Sequence, residues 1–212
     1  MPLEIPCLNI RYILNPIPAE KSEPGSVTTQ LHPGSDEVFL RSRINAYALW
    51  DNGFPYSFET GTVRGLRQIH LSLFGGLYDF AGEIRNLNIA KGGFQFAMAQ
   101  YLGKSLSVIE RMPEESFDQI ADKYIEMNVA HPFMEGNGRS ARLWLDVMLR
   151  KRLRITADWS CIGKEEYLKA MAESVSDGTR IKALLKGALA DRVSDRGLFM
   201  RGIDCSWHYE AP

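Results

Sequence analysis

Cysteine is scarce in this chain of 212 residues: only Cys7, Cys161 and Cys205 are present, far apart in sequence. That excludes a disulfide framework and the paired spacing of a zinc site, and it suits a reducing compartment. Charge of one sign is lacking as well. Lys and Arg total 25 against 26 Asp and Glu, a net charge of −1 with a pI near 6.4, which argues against any broad nucleic-acid or membrane surface. No apolar run approaches the ~18–20 residues that span a bilayer. The first residues lack a basic region followed by an unbroken apolar stretch, so no signal peptide is expected. Internal repeats are absent too. The expectation is a soluble, cytoplasmic protein of bacterial type, with no nucleic-acid or membrane partner and room for one domain with a real core.

Proline is unevenly spread. Six of the ten prolines fall in residues 1–35, so that stretch reads as an extended N-terminal arm. Leu8 to Leu14 is apolar enough to pack somewhere, for instance on a neighbouring subunit. From Asp36 onward the periodicity is helical. It predicts helices over 37–52, 63–75 with Thr62 as N-cap, Met98–Glu110 and Glu115–Ala130, then shorter ones around 163–174, 178–190 and 195–210. Gly92-Gly93 lies between short strand-like segments, within Asn88-Ile-Ala-Lys-Gly-Gly-Phe-Gln-Phe-Ala97, and signals a β-hairpin. The fold class is therefore all-α, a helical bundle with one small hairpin, over residues 36–212.

What the chain does have is concentrated in His131-Pro-Phe-Met-Glu-Gly-Asn-Gly-Arg139. A histidine of ordinary pKa, about 6.5, can take a proton from a hydroxyl near neutral pH. Glu135 offers hard oxygen ligands of the kind Mg²⁺ takes when it also holds a nucleotide's phosphates. Gly136 and Gly138 leave backbone N–H groups bare for phosphate oxygens, and Asn137 and Arg139 add side-chain donors. Phe133, apolar in a polar loop, reads as the peg that anchors it. Leu143, Trp144, Val147 and Met148 then mark a helical face. The glycine turn thus opens a helix, and a helix N-terminus favours anions. Arg142, one turn past Arg139, can face the same phosphate chain.

HPFMEGNGR followed by Ser-Ala-Arg142 resembles the signature of Fic-domain proteins, HPFx(D/E)GNGRxxR, at every defined position. The resemblance implies the Fic fold and transfer of AMP from ATP to a hydroxyl side chain (Tyr, Thr or Ser) of a target protein, with release of pyrophosphate. It also implies roles. His131 would deprotonate the target hydroxyl and Glu135 would hold Mg²⁺. Phe133, Gly136, Asn137, Gly138 and Arg139 would form the nucleotide site, and Arg142 would contact the γ-phosphate. The related Doc proteins carry Lys where this chain has Gly138 and phosphorylate instead, so Gly138 favours adenylyl transfer. The hairpin would be the flap that aligns a target segment by strand addition, with Ile89, Lys91, Gly92 and Gly93 in it.

Ser206-Trp-His-Tyr-Glu210 resembles the family's inhibitory motif, (S/T)xxxE(G/N), whose glutamate pairs with the second signature arginine, here Arg142, and blocks the γ-phosphate. The implied inhibitory helix covers about 203–210, with Ser206 and Glu210 on one face. The residue after Glu210 is Ala211 instead of the usual Gly or Asn, which weakens the helix end. By resemblance the chain is an autoinhibited adenylyltransferase and a homo-oligomer, and its target is open (DNA topoisomerase subunits are an analogy only). Two other readings stay open: removal of AMP with Glu210 orienting water, and transfer of another moiety such as UMP or phosphocholine. Elsewhere, His70 reads as a packing histidine and His208 as unpaired for metal. Met98, Met127, Met148, Trp144 and Trp159 read as core. Tyr124 and Tyr209 are candidate acceptors for self-modification.

Overall fold

The computed structural model describes residues 34–91 and 93–210; the proline-rich arm, Gly92 and Ala211 lie outside the described residues. Among the described residues there are eight α-helices: α1 (Ser35–Asp51), α2 (Val63–Phe74), α3 (Ala99–Glu110), α4 (Phe117–Ala130), α5 (Asn137–Met148), α6 (Lys164–Glu173), α7 (Thr179–Gly187) and α8 (Arg196–Trp207). Their starts follow from side-chain caps. The Thr62 hydroxyl accepts from the Gly65 amide at 2.9 Å. At α4, Ser116 and Gln119 form a reciprocal capping box, and Asp195 accepts from the Leu198 amide at 2.9 Å. Each cap satisfies amides that a helix N-terminus leaves without partners.

The middle of the molecule is α5. Every residue in it except Gly138 is buried, which goes beyond the single apolar face expected of 143–148. It packs against α2 on one side and α4 on another, while α1 packs against α2 and α8. Trp144, Val147 and Met148 are fully enclosed. A helix surrounded in this way holds the residues at its start in fixed positions, and those residues are the signature.

The hairpin forms as expected, with β1 (Ala90–Lys91) antiparallel to β2 (Phe94–Gln95) and Lys91 opposite Phe94. Two sequence expectations change. The helix placed at 178–190 stops at Gly187, and β4 (Leu189–Ala190) pairs antiparallel with β3 (Thr156–Ala157), giving a second small hairpin-like pairing. Beyond α5 the chain widens into a π-helical turn, Leu149–Leu153. There the buried Arg150 reaches back to Asp146 at 2.6 Å and across to the Thr156 hydroxyl at 2.8 Å. The last helix ends at Trp207, and Tyr209 and Glu210 continue as a tight turn, their amides bonded to the carbonyls of Ser206 and Trp207. Ser206 and Glu210 therefore do not share a helix.

Candidate active site

His131 is the residue at which α4 ends. Its φ of +49° is left-handed, a conformation that costs a side chain and that recurs where function fixes the backbone. The turn aims the ring out of the helix. Nδ1 meets the Asn128 carbonyl at 3.1 Å, and because a carbonyl only accepts, Nδ1 carries the hydrogen and Nε2 presents its lone pair. The ring stacks on Phe96 of the hairpin, centroids 3.7 Å apart. Burial, with Arg85 and Lys91 nearby, pulls its pKa from 6.5 down to about 4. The ring is thus neutral at physiological pH, its base form already in place.

The loop behind it is held from below. Phe133 is fully buried and stacked on His70, centroids 3.8 Å apart. His70 accepts from the Gly82 amide at Nδ1, so its Nε2 donates to the Glu135 carbonyl at 2.9 Å. Both ring nitrogens are used, and burial lowers its pKa to about 4. It is more than the packing residue expected, since it ties the loop to α2. Asn137 accepts from the Phe133 amide and donates to the Phe133 carbonyl, both at 2.8 Å. Phe133 is the expected peg, and both it and Asn137, also expected in the nucleotide site, have side chains that brace the loop.

Gly136 and Gly138 have separate reasons. Gly136 sits at φ +78°, where a Cβ would also come within 2.4 Å of the Phe74 ring. Gly138 has an ordinary backbone, but a Cβ there would lie 2.1 Å from Glu210 Oε1. The absent side chain is what leaves room for that carboxylate. Arg142 grips Glu210 with both η nitrogens, at 2.6 and 2.7 Å, and Nη2 also donates to the Ser206 carbonyl at 2.8 Å. Burial opposes the Arg142 charge, yet Glu210 more than reverses this and holds its pKa above the ordinary value. Arg139 Nε stands 3.9 Å from the same carboxylate, and its Nη1 donates to Ser42 Oγ in α1 at 3.0 Å. Both signature arginines therefore converge on one anion.

The Glu135 side chain is 52% exposed, with Oε1 accepting from the Gly136 amide at 3.0 Å. Among the described residues no cluster of three or more His, Cys, Asp or Glu forms a metal cage. Oε1 of Glu135 also lies 3.7 Å from Arg139 Nη2, and a half-exposed carboxylate in this position fits Mg²⁺ of the kind that draws its other ligands from phosphates and water. On the hairpin, Ile89 is half-buried and Lys91 and Gly93 are exposed, and the Lys91 charge is felt at His131. Tyr124 and Tyr209 are buried, their hydroxyls bonded to the Tyr167 hydroxyl and to the Ile162 and Trp159 carbonyls, so neither is placed to accept a group in this form. Sequence reasoning missed Arg85, Phe96 and Ser42, which touch the site from outside the motif.

A neutral base, a glycine-lined helix start and two buried arginines around the Glu210 carboxylate make a site whose chemistry suits a phosphorylated ligand. Residues 61–149 match the Fic/DOC family. The chain is 29% identical over 170 residues to the protein adenylyltransferase VbhT of Bartonella schoenbuchensis, covering 69% of this chain and 35% of that protein. To the probable protein adenylyltransferase Fic of Salmonella typhimurium it is 26% identical over 144 residues, covering 61% of this chain and 72% of that one. The chain thus spans about a third of the first relative's length. Its fold matches BepC of Bartonella tribocorum, solved with bound AMPPNP (TM-score 0.63, 20% identity, 73% and 87% covered). It also matches the Fic domain of a putative cell filamentation protein of Bartonella quintana, solved with ADP (TM-score 0.66, 19% identity, 75% and 86% covered).

Proposed function

We propose that this chain is an autoinhibited protein adenylyltransferase, with ATP as co-substrate and a protein hydroxyl as acceptor. The observation that carries the reading is the bidentate Arg142–Glu210 pair set beside the glycine loop, a carboxylate standing where phosphate oxygens would bind. The names of the adenylyltransferase relatives support it.

The chemistry follows from the placed groups. The acceptor hydroxyl gives its proton to His131 Nε2 while its oxygen bonds to the α-phosphorus, and the bond from that phosphorus to the bridging oxygen breaks, releasing pyrophosphate. The neutral ring needs no prior deprotonation. The amides at the start of α5 and the Arg139 and Arg142 guanidiniums hold the phosphate oxygens, and Glu135 is the residue that would ligate Mg²⁺. That ion, when bound, offsets phosphate charge. With Glu210 in place Arg142 has no free face for the γ-phosphate. A charge-assisted pair is worth ~1.5–3 kcal/mol, which corresponds to roughly ten- to a hundredfold suppression of basal transfer.

The test uses ATP labelled separately at the α- and γ-phosphate, with Mg²⁺ and cell lysate. Protein-bound α-label, stronger with Glu210→Gly and absent with His131→Ala, is the expected result. Retention of γ-label alone would make the protein a kinase, and no label from either position would overturn the reading. Removal of AMP would instead be lost with Glu210→Gly. The homo-oligomer expected from the family resemblance is checked in the same assay, as activity per molecule that rises on dilution.

A further inference from the structure

The hairpin and the catalytic histidine belong to different parts of the chain, yet one buried side chain is bonded to both. Arg85 is 4% exposed and no carboxylate is among its bonded partners. Its guanidinium donates only to backbone carbonyls: Nε to His131 at 2.7 Å, Nη1 to Leu87 at 2.6 Å, and Nη2 to Ala97 at 2.5 Å and Ala130 at 3.1 Å. Leu87 and Ala97 are the two roots of the hairpin. Ala130 and His131 are the end of α4, where the helix dipole places negative potential that suits a cation. The Arg85 amide adds a bond to the Pro132 carbonyl at 2.9 Å, and the Ala97 amide one to Val129 at 3.3 Å. Phe96, next to Ala97, completes the connection by stacking on the His131 ring.

We propose that Arg85 is a positioning residue: it fastens the flap to the end of α4, so that an acceptor hydroxyl presented by the flap and Nε2 of His131 keep one fixed geometry. This rests on the adenylyltransferase reading for its functional consequence, though not for its structural one. A fork of donors is needed because two separate segments must be held at once, and a single ammonium point charge cannot span four carbonyls arranged around a plane. The charged groups facing the His131 ring are Arg85, Lys91 on the flap and Glu210 beyond α8, with Arg85 and Lys91 both disfavouring the imidazolium.

The test takes three measurements. In the Glu210→Gly background, Arg85→Lys is expected to lower kcat for protein modification by on the order of 10–100-fold, the scale of a misplacement near 1 Å, with the Kd for ATP within about twofold of the parent. By NMR, Arg85→Met is expected to move the His131 titration midpoint upward, whereas Arg85→Lys, which keeps the charge, leaves it in place. A fall in kcat with an unmoved midpoint in Arg85→Lys assigns the effect to the fork of donors and not to the charge. Hydrogen exchange on the unmutated chain needs no folded variant: the Ala97 amide should be protected to the same degree as the last turn of α4. Transfer at the parent rate in Arg85→Lys, an unmoved midpoint in Arg85→Met, or a flap that exchanges independently of α4 would each overturn the proposal. If Glu210→Gly transfers no label from ATP, the adenylyltransferase reading fails, while titration and exchange still decide the role of Arg85.

Discussion

At the scale of single residues the site is organised around one ion pair. The Arg142 side chain is 2% exposed, and its guanidinium is ringed by Tyr209, Tyr167 and Trp159 at 5.2 to 6.0 Å. Taking away Glu210 removes both of that cation's bonds to a carboxylate and leaves it the Ser206 carbonyl and the surrounding rings, at a cost of about 1–3 kcal/mol. The thermal midpoint of Glu210→Gly should therefore fall by ~2–4 °C for each kcal/mol lost. The same variant opens the anion site, so ATP with Mg²⁺ should raise its midpoint by more than it raises that of the unmutated chain. Scanning calorimetry with and without nucleotide checks both. Equal shifts in the two proteins would mean that Glu210 does not compete with phosphate. The motif residues were legible in the sequence because their chemistry is carried by type and spacing. What spacing does not reveal is which way a side chain turns. Asn137 is identical in sequence whether it reaches for phosphate or closes onto Phe133, and only the folded loop decides.

At the scale of elements, α8 cannot be a lid. Leu198, Phe199, Ile203 and Trp207 are all part of the core, and Trp207 Nε1 donates to Ser42 Oγ in α1 at 3.1 Å. Swinging the helix away would expose several large apolar side chains, each worth ~1.5–3 kcal/mol of burial. Release of Glu210 thus belongs to the turn after Trp207. That turn is pinned by the Tyr209 hydroxyl, which bonds the Ile162 carbonyl at 2.6 Å and lies 3.2 Å from that of Trp159. Tyr209→Phe keeps the ring and loses a bond of ~0.5–1.5 kcal/mol, so basal α-label transfer should rise by a factor of roughly 2–10. Asp195→Ala weakens the far end of α8 by ~1 kcal/mol through its cap and should lower the midpoint without raising transfer. If Asp195→Ala activates as strongly as Tyr209→Phe, the whole helix moves and the turn is not the latch. This division is not legible in the sequence: a Ser and a Glu four apart suggest one helical face, and the end at Trp207 comes from burial of the indole and from i→i+3 bonding beyond it. The β3–β4 pairing was hidden for a similar reason, since two-residue strands carry too few positions to show a period.

At the scale of the whole molecule, the helix starts were readable from caps such as Thr62 and the core from apolar spacing, whereas the long-range ties, Arg85, His70 and Ser42, sit in no motif and become visible only when distant segments meet. Two buried histidines make the fold sensitive to acid. His70 and His131 both titrate near 4 in the folded chain, chiefly because burial penalises the imidazolium, against about 6.5 unfolded. Between those values the unfolded chain binds more protons than the folded one, so unfolding becomes easier as pH drops. The stability the two rings supply is fully present above pH 6.5 and is lost as pH falls toward 4. For His70, wholly enclosed with both nitrogens bonded, a shift of this size corresponds to roughly 3 kcal/mol across the window. Urea unfolding at intervals between pH 7 and pH 5, above the range where carboxylates titrate, should give a slope approaching two protons. His70→Gln cannot take up a proton in either state. It should be less stable at pH 7, having lost the Gly82 and Glu135 contacts, yet its stability should fall with a slope nearer one proton. A variant that keeps the full slope would show that the His70 ring is charged inside the fold, in conflict with a nitrogen that accepts from the Gly82 amide and with the bonded loop it supports.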